Sequence, residues 1–245
     1  MTNLLLFFCG KKGTLTDGKI NPEDKLQKLL EDPKNHIYIV TARTAENIQK
    51  QMPRIKSERF FFVGEHGGVL KRSTAYTSAG PTEFGLYCKN ALQKFIDRSI
   101  PKDVDFETGA TGHLTFGFRL KNLDDKSWCL NLGDLQNAEL NELNGYKVEF
   151  LKKIDYVSLQ PKNLHKGTFV QQLLEELKEE GLKLYVLGMG NDLPDEPFYR
   201  AMHNNGFSNT VRVGNDIKLD ESVAKHHLKS PQKVMEFLEE LTSIQ

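Results

Sequence analysis

The chain has 245 residues, 38% of them hydrophobic and 27% charged, a balance that excludes a disordered chain. Lys plus Arg equal Asp plus Glu at 33 each, so no global field draws the protein to nucleic acid or to a membrane surface. No apolar run approaches the roughly 20 residues of a membrane span, and the three scattered cysteines, Cys9, Cys88 and Cys129, argue against a disulfide framework.

Residues 4–9, Leu-Leu-Leu-Phe-Phe-Cys, read as a strand buried on both faces of a parallel sheet. They are too few for a signal-peptide core and no basic region precedes them, so the expected location is the cytoplasm. A glycine-punctuated loop follows, Gly10-Lys11-Lys12-Gly13-Thr14-Leu15-Thr16. Asn21 and Pro22 open a helix with Leu26, Leu29 and Leu30 on its inner face. Residues 36–40 form a second strand running into Thr41-Ala42-Arg43. Thr44 caps a short helix that stops before Pro53, and residues 60–63 form a third strand ending at Gly64-Glu65-His66-Gly67-Gly68. This alternation predicts a parallel sheet with right-handed crossovers.

The middle of the chain reads differently. A helix is expected over 82–99, strands over 104–107 and 113–119, a leucine-spaced helix over 132–143, and strands over 147–151 and 156–159. The parallel pattern then resumes. A helix begins at Lys166 and closes at Gly181, and a strand over 184–187 ends at Gly188-Met189-Gly190-Asn191-Asp192. A helix near 194–204, a strand over 210–213 and a last helix from Ser230-Pro231 complete the chain. The fold class is α/β: a core of 1–79 and 163–245, a parallel sheet flanked by helices, with an inserted α+β cap over 80–162. Ligands of such sheets sit beyond the carboxyl ends of the strands, which singles out 10–14, 41–43, 64–68 and 188–196, together with Lys166.

Taken together these segments resemble the four motifs of the haloacid-dehalogenase superfamily, and within it the trehalose-6-phosphate phosphatases. Gly13-Thr14-Leu15-Thr16 matches the end of the first motif and Thr41-Ala42-Arg43 the second. Gly64-Glu65-His66-Gly67 matches the glutamate-histidine-glycine signature, His165-Lys166-Gly167 the third motif, and Gly190-Asn191-Asp192-Leu193-Pro194-Asp195-Glu196 the fourth. The resemblance implies a haloacid-dehalogenase-like core with an α+β cap, and phosphate binding by Lys12, Gly13, Thr41 and Lys166. It implies sugar contacts from Glu65, His66, Glu107 and Arg119.

The chain departs from that pattern where the chemistry lies. The family's first aspartate attacks phosphorus, and its place is taken by Gly10, which carries no nucleophile. The second aspartate serves as acid and then base; its place is taken by Lys12, whose ordinary pKa of about 10.4 keeps it cationic. Mg²⁺ wants carboxylate oxygens, and the fourth motif offers Asn191 in place of an aspartate, leaving Asp192 and Asp195. Cys9 reads as a buried small residue and Lys11 as solvated. Lys12 and Lys166 are expected across the crevice from one another, an anion pocket without metal.

The resemblance therefore implies a catalytically inactive phosphatase-like protein with a regulatory or scaffold role in trehalose biosynthesis, binding a sugar phosphate without cleaving it. Expected partners are trehalose-6-phosphate synthase or phosphatase subunits, with no nucleic acid and no membrane; no cofactor is expected, and Mg²⁺ only for an active phosphatase. The alternatives are a working sugar-phosphate phosphatase with unorthodox residues, and a stand-alone phosphosugar sensor.

Overall fold

Seven strands of the described residues form one sheet. In spatial order they are His226–Leu228 (β11), Thr210–Val213 (β10), Lys183–Gly190 (β9), Thr2–Cys9 (β1), Asn35–Val40 (β2), Phe60–Gly64 (β3) and Val69–Arg72 (β4). All neighbours pair in parallel except β3 and β4. The structure, a computed structural model, describes residues 2–74, 105–108, 114–121, 146–151, 156–214 and 222–244.

Strand β1 is apolar from Leu4 to Cys9 because the sheet is covered on both sides there. Leu4, Leu6 and Phe8 join Ile37, Ile39, Phe60 and Phe62 in one core. That core is closed by Leu26 and Leu29 of Glu23–Leu29 (α1), Ile48 of Ala45–Gln51 (α2), and Val234 and Leu238 of Pro231–Ile244 (α5). Leu5, Phe7 and Cys9 point to the opposite core, with Val170 and Leu174 of Lys166–Glu179 (α3) and Phe198, Tyr199 and Met202 of Glu196–Asn204 (α4). Phe7, Tyr38 and Phe61 stack across three adjacent strands at centroid distances of 4.9 and 4.7 Å. Such a ladder pins the register of β1, β2 and β3.

Thr44 caps α2 as expected, while α1 has Pro22 at its N-cap and Asn21 reaches over it. Asn21 Oδ1 accepts the Glu23 N–H at 3.1 Å, and Thr44 Oγ1 accepts that of Asn47 at 3.2 Å. Three readings need correction. The strand expected over 184–187 continues through Gly188-Met189-Gly190, paired with Thr210–Arg212 on one side and, through Gly188 and Met189, with β1 on the other. Leu193–Asp195 is a single tight turn, and α4 starts only at Glu196. Strands β4 and β11 were absent from the reading, because a short edge strand such as His226-His227-Leu228 carries too little apolar alternation to stand out.

The chain divides into two units, Met1–Thr77 with His165–Gln245, and Ser78–Leu164. The second unit holds an antiparallel sheet in the order Asp105–Thr108 (β5), Phe116–Lys121 (β6), Tyr156–Pro161 (β8) and Tyr146–Leu151 (β7). The helices expected over 82–99 and 132–143 lie outside the described residues.

Candidate functional site

Four neighbouring parallel strands, β9, β1, β2 and β3, end side by side at Gly190, Cys9, Val40 and Gly64. The chain leaves β1 toward β2 on one side, while β9 lies on the other, so β1 is the switch point where an open sheet makes a crevice. Hydrogen bonds lash the four following loops together. The Gly10 N–H donates to Val40 O at 2.7 Å and that of Thr41 to Val63 O at 2.8 Å. The Glu65 N–H donates to Arg43 O at 2.8 Å and that of His66 to Thr41 O at 2.9 Å.

The loop after β1 keeps the turn of a phosphate loop with altered contents. Gly10 has φ +79° and Gly13 φ +87°, a region that L side chains enter only at a cost. A Cβ on Gly13 would also come within 2.5 Å of Asn191 Nδ2. Thr14 Oγ1 lies 2.8 Å from Cys9 O and 3.0 Å from Asn191 Oδ1. One hydroxyl has one proton, which goes to Cys9 O; turning the Asn191 amide over lets its NH₂ donate to Thr14 in return. Thr14 thus ties the first loop to the fourth. The N–H groups of Lys11, Lys12 and Thr14 donate to no acceptor among the described residues.

The lysines separate into three roles. Lys11 is half-buried, and its Nζ donates to Gln51 O at 2.6 Å in a solvent-open contact at the carbonyl end of α2, where a cation suits the helix dipole. Lys12 is exposed and pairs with no carboxylate among the described residues. Lys166, 7% exposed at the first turn of α3, holds Asp195 Oδ1 at 2.5 Å. It therefore reaches the crevice as half of an ion pair rather than as a lone cation facing Lys12. Burial alone would lower the Lys166 pKa, but the Asp195 carboxylate, with Cys9 and Asp192 beside it, carries it above the ordinary value. His165 caps α3, its ring Nδ1 accepting the Thr168 N–H at 3.1 Å.

Asp195 is fully committed. Its Oδ2 accepts the N–H groups of Asn191 and Asp192 at 2.8 and 3.0 Å, which fixes the fourth loop. Asp192 is exposed. Cys9 is buried against this pair; burial, with the Asp195 charge adding and Lys166 opposing, pushes its thiol well above its ordinary value. A thiol so placed is not a nucleophile at neutral pH. Asp17 lies outside the crevice machinery, exposed and accepting the Lys19 N–H at 2.9 Å.

These donors do not fit Mg²⁺. Both Asp195 oxygens are engaged and Asn191 offers only an uncharged amide, which leaves the exposed Asp192 as the one uncommitted aspartate of the fourth motif. Mg²⁺ is ordinarily held by one or two carboxylates together with water and phosphate oxygens, and among the described residues no three His, Cys, Asp or Glu side chains come together.

Thr41 is buried, and its Oγ1 accepts the Arg43 N–H at 3.1 Å. Glu65 and His66 both take left-handed backbone, φ +51° and +59°, with the Glu65 side chain fully buried. Two consecutive non-glycine residues in this region mark a segment held against its own preference. In the second unit the register sets Glu107 directly opposite Arg119.

Sequence reasoning missed Arg212. It is 1% exposed, and its Nη2 donates to Asn191 O at 2.8 Å. An arginine inside an otherwise apolar strand, Thr210-Val211-Arg212-Val213, was the available signal.

The family model described as trehalose-phosphatase matches residues 20–233, a stretch that starts after the altered first loop. A trehalose-phosphatase of Schizosaccharomyces pombe is 25% identical, covering 97% of this chain and 30% of its own length. The curated relatives it matches are spanned for about three-tenths of their length. In fold, the chain resembles Aspergillus fumigatus trehalose-6-phosphate phosphatase, with TM-score 0.67, 20% identity and coverage of 99% and 94% of the two chains. It also resembles the C-terminal domain of the Candida albicans trehalose synthase regulatory protein, with TM-score 0.62, 13% identity and coverage of 97% and 94%.

Proposed function

The chain belongs to the trehalose-phosphatase family, and we propose that it is a member that binds a sugar phosphate without hydrolysing it and serves as a regulatory or scaffold component of trehalose biosynthesis. The observation that carries this reading is the loop after β1. It offers N–H donors at Lys11, Lys12 and Thr14 and the exposed cation of Lys12, while Gly10 supplies no atom to attack phosphorus. Uncommitted N–H groups on a glycine-bent loop beside a lysine suit a phosphate dianion.

Hydrolysis in the family needs a carboxylate to accept the phosphoryl group and a second one to move the proton. Here the nearest thiol is buried and protonated, and the one buried aspartate of the fourth motif is bound to Lys166. Lys12, Gly13, Thr41 and Lys166 are assigned to the phosphate. Lys166 acts by keeping Asp195, and with it the fourth loop, in place. Glu65 and His66 are assigned to the sugar. The likeness to the regulatory protein of Candida albicans supports a partner among trehalose synthase or phosphatase subunits.

Isothermal titration with trehalose 6-phosphate in the presence of EDTA tests the binding. Saturable heat is expected, lost in Lys12→Glu; no heat from the folded protein would sink the reading. Co-purification with the synthase subunit from the same cell tests the scaffold role.

A further inference from the structure

We propose that Arg212 is a specificity-determining residue of this site: a fixed internal cation that holds the Asn191 loop and keeps divalent cations from it. The proposal deepens the metal-free reading above and rests on it.

Charge burial is the first argument. Arg212 is among the largest fully buried side chains in the molecule, and a guanidinium cannot shed its proton to escape the cost. Its charge is only partly answered. Glu196 Oε1 stands 3.6 Å from Nη1, beyond a hydrogen bond, and Nε and Nη1 find no acceptor among the described residues. Glu196 spends its oxygens elsewhere, Oε1 accepting the Ser222 hydroxyl at 2.6 Å and Oε2 the Val223 N–H at 2.9 Å. The bidentate fork that would neutralise a buried arginine is absent among the described residues.

Position is the second argument. The sheet register puts Arg212 level with Gly190, and Nη2 donates to the carbonyl of Asn191, the residue standing where a family carboxylate is expected. The partner of the other acid in this turn follows the same pattern: adjacent Asp195 is held by Lys166 as Glu196 is approached by Arg212. The fourth loop is therefore held by two buried cations through its carboxylates and its backbone. A divalent ion brought to the half-buried Asn191 meets the like charge of the buried Arg212 behind it, and it finds an amide that brings no compensating charge.

The test is Mn²⁺ binding, followed by electron paramagnetic resonance and calorimetry, with melting temperature measured for every variant. Asn191→Asp is combined with Arg, Lys or Gln at position 212. Gln keeps a donor for Asn191 O and removes the charge. Asn191→Asp is expected to bind Mn²⁺ weakly with Arg or Lys at 212, and at least tenfold more tightly with Arg212→Gln. A merely structural arginine would lower the melting temperature while leaving Mn²⁺ affinity indifferent to charge, and equal affinities across the three would overturn the proposal. Should the Gln variant not fold because Glu196 is left unpaired, Arg212→Gln with Glu196→Gln carries the same comparison. The underlying reading fails separately: if the unaltered protein binds inorganic phosphate only when Mn²⁺ is added, the metal-free site is wrong whatever position 212 does.

Discussion

Thr14 and Asn191, 177 positions apart in the chain, meet at 3.0 Å and join the first phosphate loop to the fourth. The contact depends on Gly13, since a side chain there would strike the Asn191 amide. Gly10 offers the contrast: its nearest neighbour to an added Cβ is Lys12 O at 3.9 Å. Gly10→Ala therefore bears only the left-handed backbone cost of about 1–2 kcal/mol. Gly13→Ala bears that cost and displaces Asn191 as well. Denaturant titration should rank Gly13→Ala clearly below Gly10→Ala, and equal stabilities would show that Asn191 is not held against Gly13.

Thr14→Val removes the hydroxyl from between Cys9 O and the Asn191 amide. Leaving those buried groups without a partner is expected to cost about 1–3 kcal/mol, and to loosen the fourth loop. Hydrogen exchange read at Asn191 and Asp192 should quicken, while the α1 amides remain protected.

Lys166→Met leaves the Asp195 carboxylate buried and unpaired. Breaking such a pair from one side typically costs about 3–5 kcal/mol. Lys166→Met with Asp195→Leu should recover part of that loss in chemical denaturation, because it removes the second charge. The fourth loop would still lose the acceptor that Asp195 gives to Asn191 and Asp192.

The same cluster sets an alkaline limit. Cys9 and Lys166 both have folded-state pKa values raised above their ordinary 9.0 and 10.5. A raised folded value contributes stability that is complete below the unfolded pKa and lost as pH rises through the folded one. Melting temperature should accordingly hold between pH 7 and about 9 and fall above it, and Cys9→Ala should soften the onset of that fall. At neutral pH, Cys9 in the folded protein should resist iodoacetamide.

Much of the core was legible in the sequence because burial on two faces leaves an unmistakable mark. Leu4–Cys9 and Phe60–Val63 are unbroken apolar runs, and Thr44 announces its helix by its hydroxyl. The ends of elements were less so. Glycine weakens a strand, so the pattern stops β9 at Leu187, whereas here the missing side chain of Gly188 admits Phe198 and Met202 against the strand. The site divided in the same way. The positions of Gly10, Lys12 and Asn191 could be read from motif order. That Lys166 is already paired, that Lys11 is spent on Gln51, and that Arg212 stands behind Asn191 are relations between distant segments, and no local pattern encodes them.

Restoring the carboxylates tests how far the change has gone. Gly10→Asp must place an L residue at φ +79°, so the aspartate either strains the loop or bends it away from its present course. With Lys12→Asp and Asn191→Asp added, the triple variant is expected to stay without Mg²⁺-dependent phosphatase activity unless Arg212 is also replaced. Turnover in the triple variant alone would show that the loop can revert unaided.

A phosphate monoester should be held by the loop after β1 and left whole. Phosphorus NMR of trehalose 6-phosphate mixed with the folded protein and Mg²⁺ reads both at once. A broadened ester resonance with no growth of inorganic phosphate is the result expected. Growth of the inorganic phosphate signal, or an ester resonance the protein leaves untouched, would contradict it.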